Sequence, residues 1–151
     1  MQDIITKIVE NYNRQIELYN DMADLARQQL GSLEARLDGI SENTNLAQVL
    51  INRQQILGKI EELENINKSL RQRTCQKMGI EAFVLSQLKP NLKEEEYQGL
   101  QEVLKNMGSI LVGIQEIDDK NQQLMNRTLV SSRKRGVTDN QARNAYNQNK
   151  K

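Results

Sequence analysis

The chain of 151 residues predicts an all-α protein, built from a long antiparallel helical hairpin, a third long helix and a flexible C-terminal tail. Two observations predict this fold. Proline occurs once, at Pro90, glycine is sparse, and residue types that favour helices dominate. One Phe, four Tyr and no Trp supply few large side chains for a thick core. We therefore expect an elongated, coiled-coil-like three-helix bundle over residues 1–131 and a disordered basic tail over 132–151.

The first predicted helix, about residues 2–38, has the clearest pattern. Its apolar side chains recur at alternating spacings of four and three, which is typical of a helix that packs along a partner helix. This stripe consists of Ile5, Val9, Tyr12, Ile16, Tyr19, Ala23, Ala26, Leu30, Leu33, Leu37 and Ile40. Gly39 is a suitable helix stop, and the polar residues 41–45 form a suitable turn. We expect the next helix to fold straight back.

The second predicted helix covers about residues 46–78 and ends before Gly79. Two polar side chains, Arg53 and Asn67, fall at positions where its stripe should be apolar. A polar residue in such a stripe fixes the alignment of the helices at a cost in stability, or the stripe is exposed there. A short helical link is expected at about residues 81–88.

The third predicted helix runs over about residues 92–131. Asn91 and Glu94 have the spacing of a capping box, and Pro90 marks the boundary before it. Its apolar face is broad enough to pack on a hairpin and leave apolar surface over. This face consists of Leu100, Val103, Leu104, Met107, Ile110, Leu111, Ile114, Ile117, Leu124, Met125 and Leu129. Asn121 is a polar residue within it.

The composition argues against catalysis. The chain has no His and one Cys, Cys75, so the usual general base and the usual zinc ligands are lacking. The acidic run at 94–96 suits the positive end of a helix dipole better than acid–base chemistry. We expect no enzyme, no catalytic residue, no metal site and no cofactor. No signal peptide and no membrane-spanning stretch is recognisable, which predicts a cytoplasmic protein without membrane insertion.

The charge is unevenly distributed. Residues 132–151 carry a net charge of +5, six basic residues minus one acidic residue, Asp139. The basic residues are Arg133, Lys134, Arg135, Arg143, Lys150 and Lys151. Basic side chains near phosphates favour nucleic-acid binding, but here they are dispersed and lack aromatic stacking partners. We expect no nucleic-acid partner.

Several segments together resemble the FlgN-type flagellar export chaperones, over most of residues 1–131. The resemblance lies in Met78-Gly79-Ile80 leading to Leu85-Ser86-Gln87-Leu88, then Leu100, Leu104 and Leu111, and finally Ile117-Asp118-Asp119-Lys120-Asn121-Gln122-Gln123-Leu124 continuing to Leu129. That family tends to have two asparagines three residues apart and a leucine three residues further on. Asn121 and Leu124 fit this pattern, while Asp118 replaces the first asparagine.

The resemblance implies a cytoplasmic chaperone that needs neither ATP nor metal. Such chaperones bind the amphipathic C-terminal helical segments of hook–filament junction proteins, which are hook-associated proteins, and deliver them to the flagellar type III export apparatus. The family often carries a tyrosine in its flexible tail that is associated with docking at the export gate. Tyr146 is the corresponding candidate here.

The client-binding residues are expected on the third helix. Apolar contacts are assigned to its C-terminal part, and two polar groups would orient the client. The candidates are Ile117, Asn121, Leu124, Met125, Thr128 and Leu129. Asn121 either bonds a client or fixes the register within the chain. The alternative function is a structural coiled-coil protein that forms homo-oligomers through its surplus apolar stripe; the sequence leaves monomer and dimer open.

Overall fold

The computed structural model describes residues 2–37 and 46–134, with side chains at 3–37 and 46–127, and the described part contains helices and connecting turns but no strand. The elements are α1 (Gln2–Leu37), α2 (Leu46–Met78), the short α3 (Leu85–Leu88), a 3₁₀ turn (Lys89–Asn91) and α4 (Glu94–Lys134). The predicted all-α fold with three long helices is confirmed. None of the described helices is long and apolar enough to cross a membrane.

The end of α2 follows the prediction. Gly79 adopts a positive φ of 68°, and the Ile80 N–H donates to the Cys75 carbonyl at 3.1 Å. This is the bond of a Schellman motif, in which glycine accepts the left-handed conformation beyond a helix C-terminus. The predicted stop at Gly39, the turn at 41–45 and most of the predicted tail, residues 135–151, lie outside the described residues. Residues 132–134 continue α4.

The link and the start of α4 differ from the prediction. Residues 81–84 are not helical, and α4 begins at Glu94, two residues later than expected. Asn91 ends the 3₁₀ turn and its side chain donates to the Gln87 carbonyl, so it does not cap α4. The acid that reaches back is Glu96, whose Oε1 accepts from the Lys93 N–H at 3.1 Å. The predicted capping box is therefore wrong by two residues, because the turn around the proline continues through Asn91.

The chain, for which one helical domain was predicted over residues 1–131, divides into two compact units. Unit 1 comprises Met1–Asn20 and Gly58–Leu111, and unit 2 comprises Asp21–Leu57 and Val112–Lys151. In each unit, α1 and α2 run antiparallel. In unit 1, Asn11 pairs with Asn67 while Gln15, further along α1, reaches the Ile60 carbonyl, earlier in α2.

Unit 1 has an apolar core drawn from all three long helices and the link. Its buried side chains are Ile5, Ile8, Tyr12, Leu88, Leu100 and Val103. Partly buried apolar side chains surround these, including Phe83 and Leu85 of the link and Leu92 after the 3₁₀ turn. The non-helical residues before α4 are therefore held by burial of these apolar side chains and by hydrogen bonds that the Glu81 and Ala82 N–H groups donate to Gln87 Oε1.

Unit 2 has a smaller apolar cluster among the described side chains. Leu33 of α1, Leu46 of α2 and Met125 of α4 form it, with Leu50 and Leu124 packed against it. The interior of the unit also holds small side chains from α1, Ala23 and Ala26. These leave space that polar groups occupy.

Candidate functional site

The C-terminal half of α4 turns two of its predicted client-binding residues, Asn121 and Met125, toward the interior of unit 2. Asn121 and Met125 are buried, with exposed fractions of 2% and 7%. Ile117 and Leu124 are half-buried. A spacing of four residues places Asn121 and Met125 on one face of the helix.

The remaining predicted site residues are not described to the same extent. Thr128 and Leu129 belong to α4, but their side chains lie outside the described residues. The predicted docking residue Tyr146 also lies outside them.

The Arg53 guanidinium connects the three long helices inside unit 2. Its Nη1 and Nη2 donate to the two carboxylate oxygens of Asp118 at 2.8 and 2.7 Å, which is a bidentate ion pair between α2 and α4. Nη1 also donates to Gln29 Oε1 of α1 at 2.6 Å, and Nε lies 3.3 Å from the Met22 sulfur. Arg53 therefore lies inside the helix packing, which favours the first of the two interpretations of this polar position.

Asn121 completes this polar layer, which we define as Gln29, Arg53, Asp118 and Asn121. Its Nδ2 donates to the Ala26 carbonyl at 3.1 Å and to Asp118 Oδ1 at 3.2 Å. Both neighbours of this nitrogen are acceptors, so the orientation of the amide follows from its surroundings. The hydrogen bond to α1 supports a role within the chain.

One member of the polar layer has an unsatisfied buried atom, and two members remain partly exposed to water. Asn121 Oδ1 is buried and has no hydrogen-bond partner. The side chains of Arg53 and Asp118 keep exposed fractions of 14% and 32%. Removing charges and amides from water is costly, and such pairs add little net stability compared with apolar packing. The polar layer therefore specifies an arrangement more than it stabilises one.

Unit 1 has buried amide contacts between α1 and α2, and these are separate from its ion pair. Asn67 is fully buried, accepts from Asn11 at 2.9 Å and donates to the Ile8 carbonyl at 3.3 Å. The Gln15 side chain donates to the Ile60 carbonyl at 3.4 Å and to Glu64 Oε2 at 3.3 Å, while its Oε1 lacks a partner.

The ion pair of unit 1 lies at an exposed edge. Arg71 donates to Glu64 at 2.6 Å and to the Tyr12 hydroxyl at 2.9 Å. Burial raises the pKa of Tyr12, an effect that the neighbouring Arg71 only partly offsets. Burial alone would raise the pKa of Glu64, but the hydrogen bonds from Arg71 and Gln15 outweigh it and lower that pKa. These groups brace α1 against α2.

No group of three or more His, Cys, Asp or Glu side chains in the described part could hold a metal ion. Cys75 is half-buried near the end of α2. Large apolar side chains that remain exposed include Ile51 and Leu57 on α2 and Val112 on α4. Ile51 and Leu57 are six residues apart and project about 120° from one another, so they do not form one stripe.

The sequence interpretation missed Gln15 and Gln29 as interior residues. Ile8, Gln15, Met22 and Gln29 are spaced by seven residues along α1, and all four are buried. A heptad spacing keeps residues on one face of a packed helix. This regular spacing is the signal that could have identified both glutamines.

Comparison with known proteins adds no relative. No protein-family model matches the chain, and no curated protein and no solved structure matches it.

Proposed function

We propose that this protein is a helix-binding chaperone of flagellar type III export. It would bind the amphipathic C-terminal helical segments of hook–filament junction proteins in the cytoplasm and deliver them to the export apparatus. The proposal is supported by the resemblance of most of residues 1–131 to FlgN-type chaperones. It is also supported by an all-α fold of long helices, since amphipathic helices are commonly recognised in grooves between helices.

One observation carries the proposal. In unit 2, α1 and α2 already form a groove that holds an amphipathic helix, because α4 lies against both of them through Asn121 and Met125. A groove of this kind binds by apolar contacts at helical spacing and selects by a few polar groups. Half-buried Ile117 and Leu124 flank this contact; Leu124 packs against its apolar cluster, and both side chains keep part of their surface exposed at its edge.

The binding experiment uses the purified full chain and the C-terminal segments of hook–filament junction proteins from the same bacterium. Titration calorimetry should show saturable binding. Changing Ile117 and Leu124 together to Ser should weaken it by about tenfold or more, because partly exposed apolar anchors dominate such interfaces. Changing Val112 to Ser is the matched control, since Val112 is 60% exposed on the same helix. If none of these segments binds, the proposal is refuted.

Light scattering distinguishes the chaperone proposal from the alternative, a homo-oligomeric coiled coil, because it measures the molar mass in solution. A monomer that binds the segments agrees with the chaperone proposal. A stable dimer that binds none of them agrees with the structural alternative.

The tail is assigned to docking rather than to client binding. A basic arm with one aromatic residue, Tyr146, is suited to an acidic surface on the export gate, and its attraction would weaken as salt rises. Removing residues 135–151 should leave the affinity for the client segments unchanged and reduce motility. Changing Tyr146 alone to Ala should reproduce the defect. Normal motility in both strains would leave the tail as a passive solubilising segment.

A further inference from the structure

The groove of unit 2 is covered by a segment of the same chain. Asp118, Asn121 and Met125 follow one another along the inward side of α4. They meet Arg53 of α2 and the Ala26 carbonyl of α1, and Met125 packs with Leu33 and Leu46. This contact shows which chemistry the groove accepts: a carboxylate, an amide three residues later and an apolar side chain four residues after that.

The contact leaves one buried polar group of this segment of α4 unsatisfied. Asp118 and Asn121 lose hydration when α4 is seated, and Asn121 Oδ1 gains no partner in return. When the segment leaves, both side chains regain water. Arg53 then lacks a carboxylate, and the groove exposes Leu33 and Leu46. The groove thus favours another helix that supplies the same groups.

We infer that this groove binds, in trans, an amphipathic helix whose carboxylate pairs with Arg53, and that residues 112–127 are its displaceable occupant within the chain. The inference goes beyond the proposed function: the client segments would contact Ile117 and Leu124 at the edge of the seated α4, whereas this helix takes the place of α4. Arg53 is the specificity-determining residue, because a bidentate pair requires a carboxylate in one place.

The experiment uses the full chain and a synthetic peptide of residues 112–131 as the probe. Changing Asp118 to Lys in the chain places two cations together and should unseat the segment. Apparent affinity rises with the fraction of molecules whose site is open. The peptide should therefore bind the Asp118→Lys chain about tenfold or more tightly than the wild-type chain. Asp119→Lys is the matched control, because Asp119 makes the same charge change on an exposed position of the same helix and should leave peptide binding at the wild-type level.

A charge swap tests the role of Arg53. A peptide carrying Asp118→Lys should fail to bind the Asp118→Lys chain. It should bind a chain that carries Arg53→Glu, because the new glutamate repels the chain's own Asp118 and pairs with the peptide's lysine. Charge reversal is checked for folding by circular dichroism. If it prevents folding, Asp118→Asn in the chain removes the ion pair without adding a second cation, and the affinity for the wild-type peptide should rise by a smaller factor.

The outcomes separate the two proposals. Peptide binding that rises with Asp118→Lys and follows the charge swap supports the inference, whether or not hook–filament junction segments bind. A dimer of the Asp118→Lys chain that is dissolved by the peptide supports it as well, since the groove then holds the second copy's α4. No peptide binding to any opened chain, or binding that ignores the charges at positions 53 and 118, would overturn it.

Discussion

The two units use the same three helices to build different interiors. Unit 1 buries Ile8, Leu100 and Val103 in the larger apolar core, and its Arg71–Glu64 ion pair lies at an exposed edge, apart from the buried Asn67. Unit 2 places its ion pair, Arg53–Asp118, against the buried Asn121. Among described side chains its apolar cluster is the smaller one.

This difference indicates that the two units have different roles, stability in unit 1 and selection of a partner in unit 2. Apolar burial contributes most of the free energy of folding, so unit 1 should hold the helices together. Bidentate and amide contacts discriminate between partners more than they stabilise, so unit 2 should select what lies in its groove. Proteins commonly place binding segments in their less stable regions.

The largest expected effects on the free energy of unfolding come from truncating a buried leucine side chain to alanine in each unit. Leu100 and Leu33 are both fully buried. Leu100→Ala should cost about 4 kcal/mol and Leu33→Ala about 3 kcal/mol, because the flexible Met125 beside Leu33 can refill part of the cavity. Urea denaturation measures both. An equal or larger cost for Leu33→Ala would contradict the assignment of unit 1 as the stabilising unit.

Breaking the ion pair of unit 2 should have an intermediate effect. Arg53→Met leaves Asp118 and Gln29 without their donor and should cost about 1–3 kcal/mol. Adding Asp118→Leu removes the unpaired carboxylate, so the double variant should recover to within about 1 kcal/mol of the wild type. Failure of the second change to restore stability would show that the pair stabilises unit 2 directly.

A smaller difference should separate the two buried asparagines. Asn67→Leu removes two satisfied hydrogen bonds and leaves Asn11 unpaired, which should cost about 1–2 kcal/mol. Asn121→Leu also removes a buried oxygen that has no partner, so its cost should stay below about 1 kcal/mol. Thermal denaturation of both variants measures the two losses of stability. The reverse order would mean that Asn121 stabilises unit 2 more than its contacts indicate.

The smallest effect is a pH dependence in unit 1. The pKa of Glu64 is lower in the folded chain than in the unfolded chain, so the folded state holds this proton less tightly. Its stabilisation is therefore complete above the unfolded value of about 4.3 and is lost as the pH falls through the folded pKa. Because half of this side chain is exposed, we expect only a few tenths of a kcal/mol. The stability difference between wild type and Glu64→Gln should shrink between pH 6 and pH 3; a constant difference would contradict this.

The helices could be predicted from sequence because their signals are local. Heptad spacing, the glycine after Met78 and the single proline determine the elements within a few residues, and the structure has α2 at the predicted bounds. The start of α4 was predicted less well, since burial of Leu92 and the 3₁₀ turn decide it rather than a capping pattern.

The polar layer could be predicted only in part. Arg53 and Asn121 were recognised as polar residues at apolar positions, each with an internal role as one of two alternatives. Their shared partner Asp118 was not recognised, because Arg53 and Asp118 are 65 residues apart and only the packing of α2 with α4 brings them together. The division into two units likewise depends on packing, which no local pattern records.

Amide hydrogen exchange along α4 tests the central claim most directly: the groove of unit 2 opens while unit 1 stays closed. The relevant amides are those of residues 114–121, which lie more than a turn away from either end of the helix, and those of residues 100–107 in unit 1. We expect residues 114–121 to exchange about tenfold or more faster, and faster still in the Asp118→Lys chain. Equal protection of both stretches, unchanged by Asp118→Lys, would contradict the account.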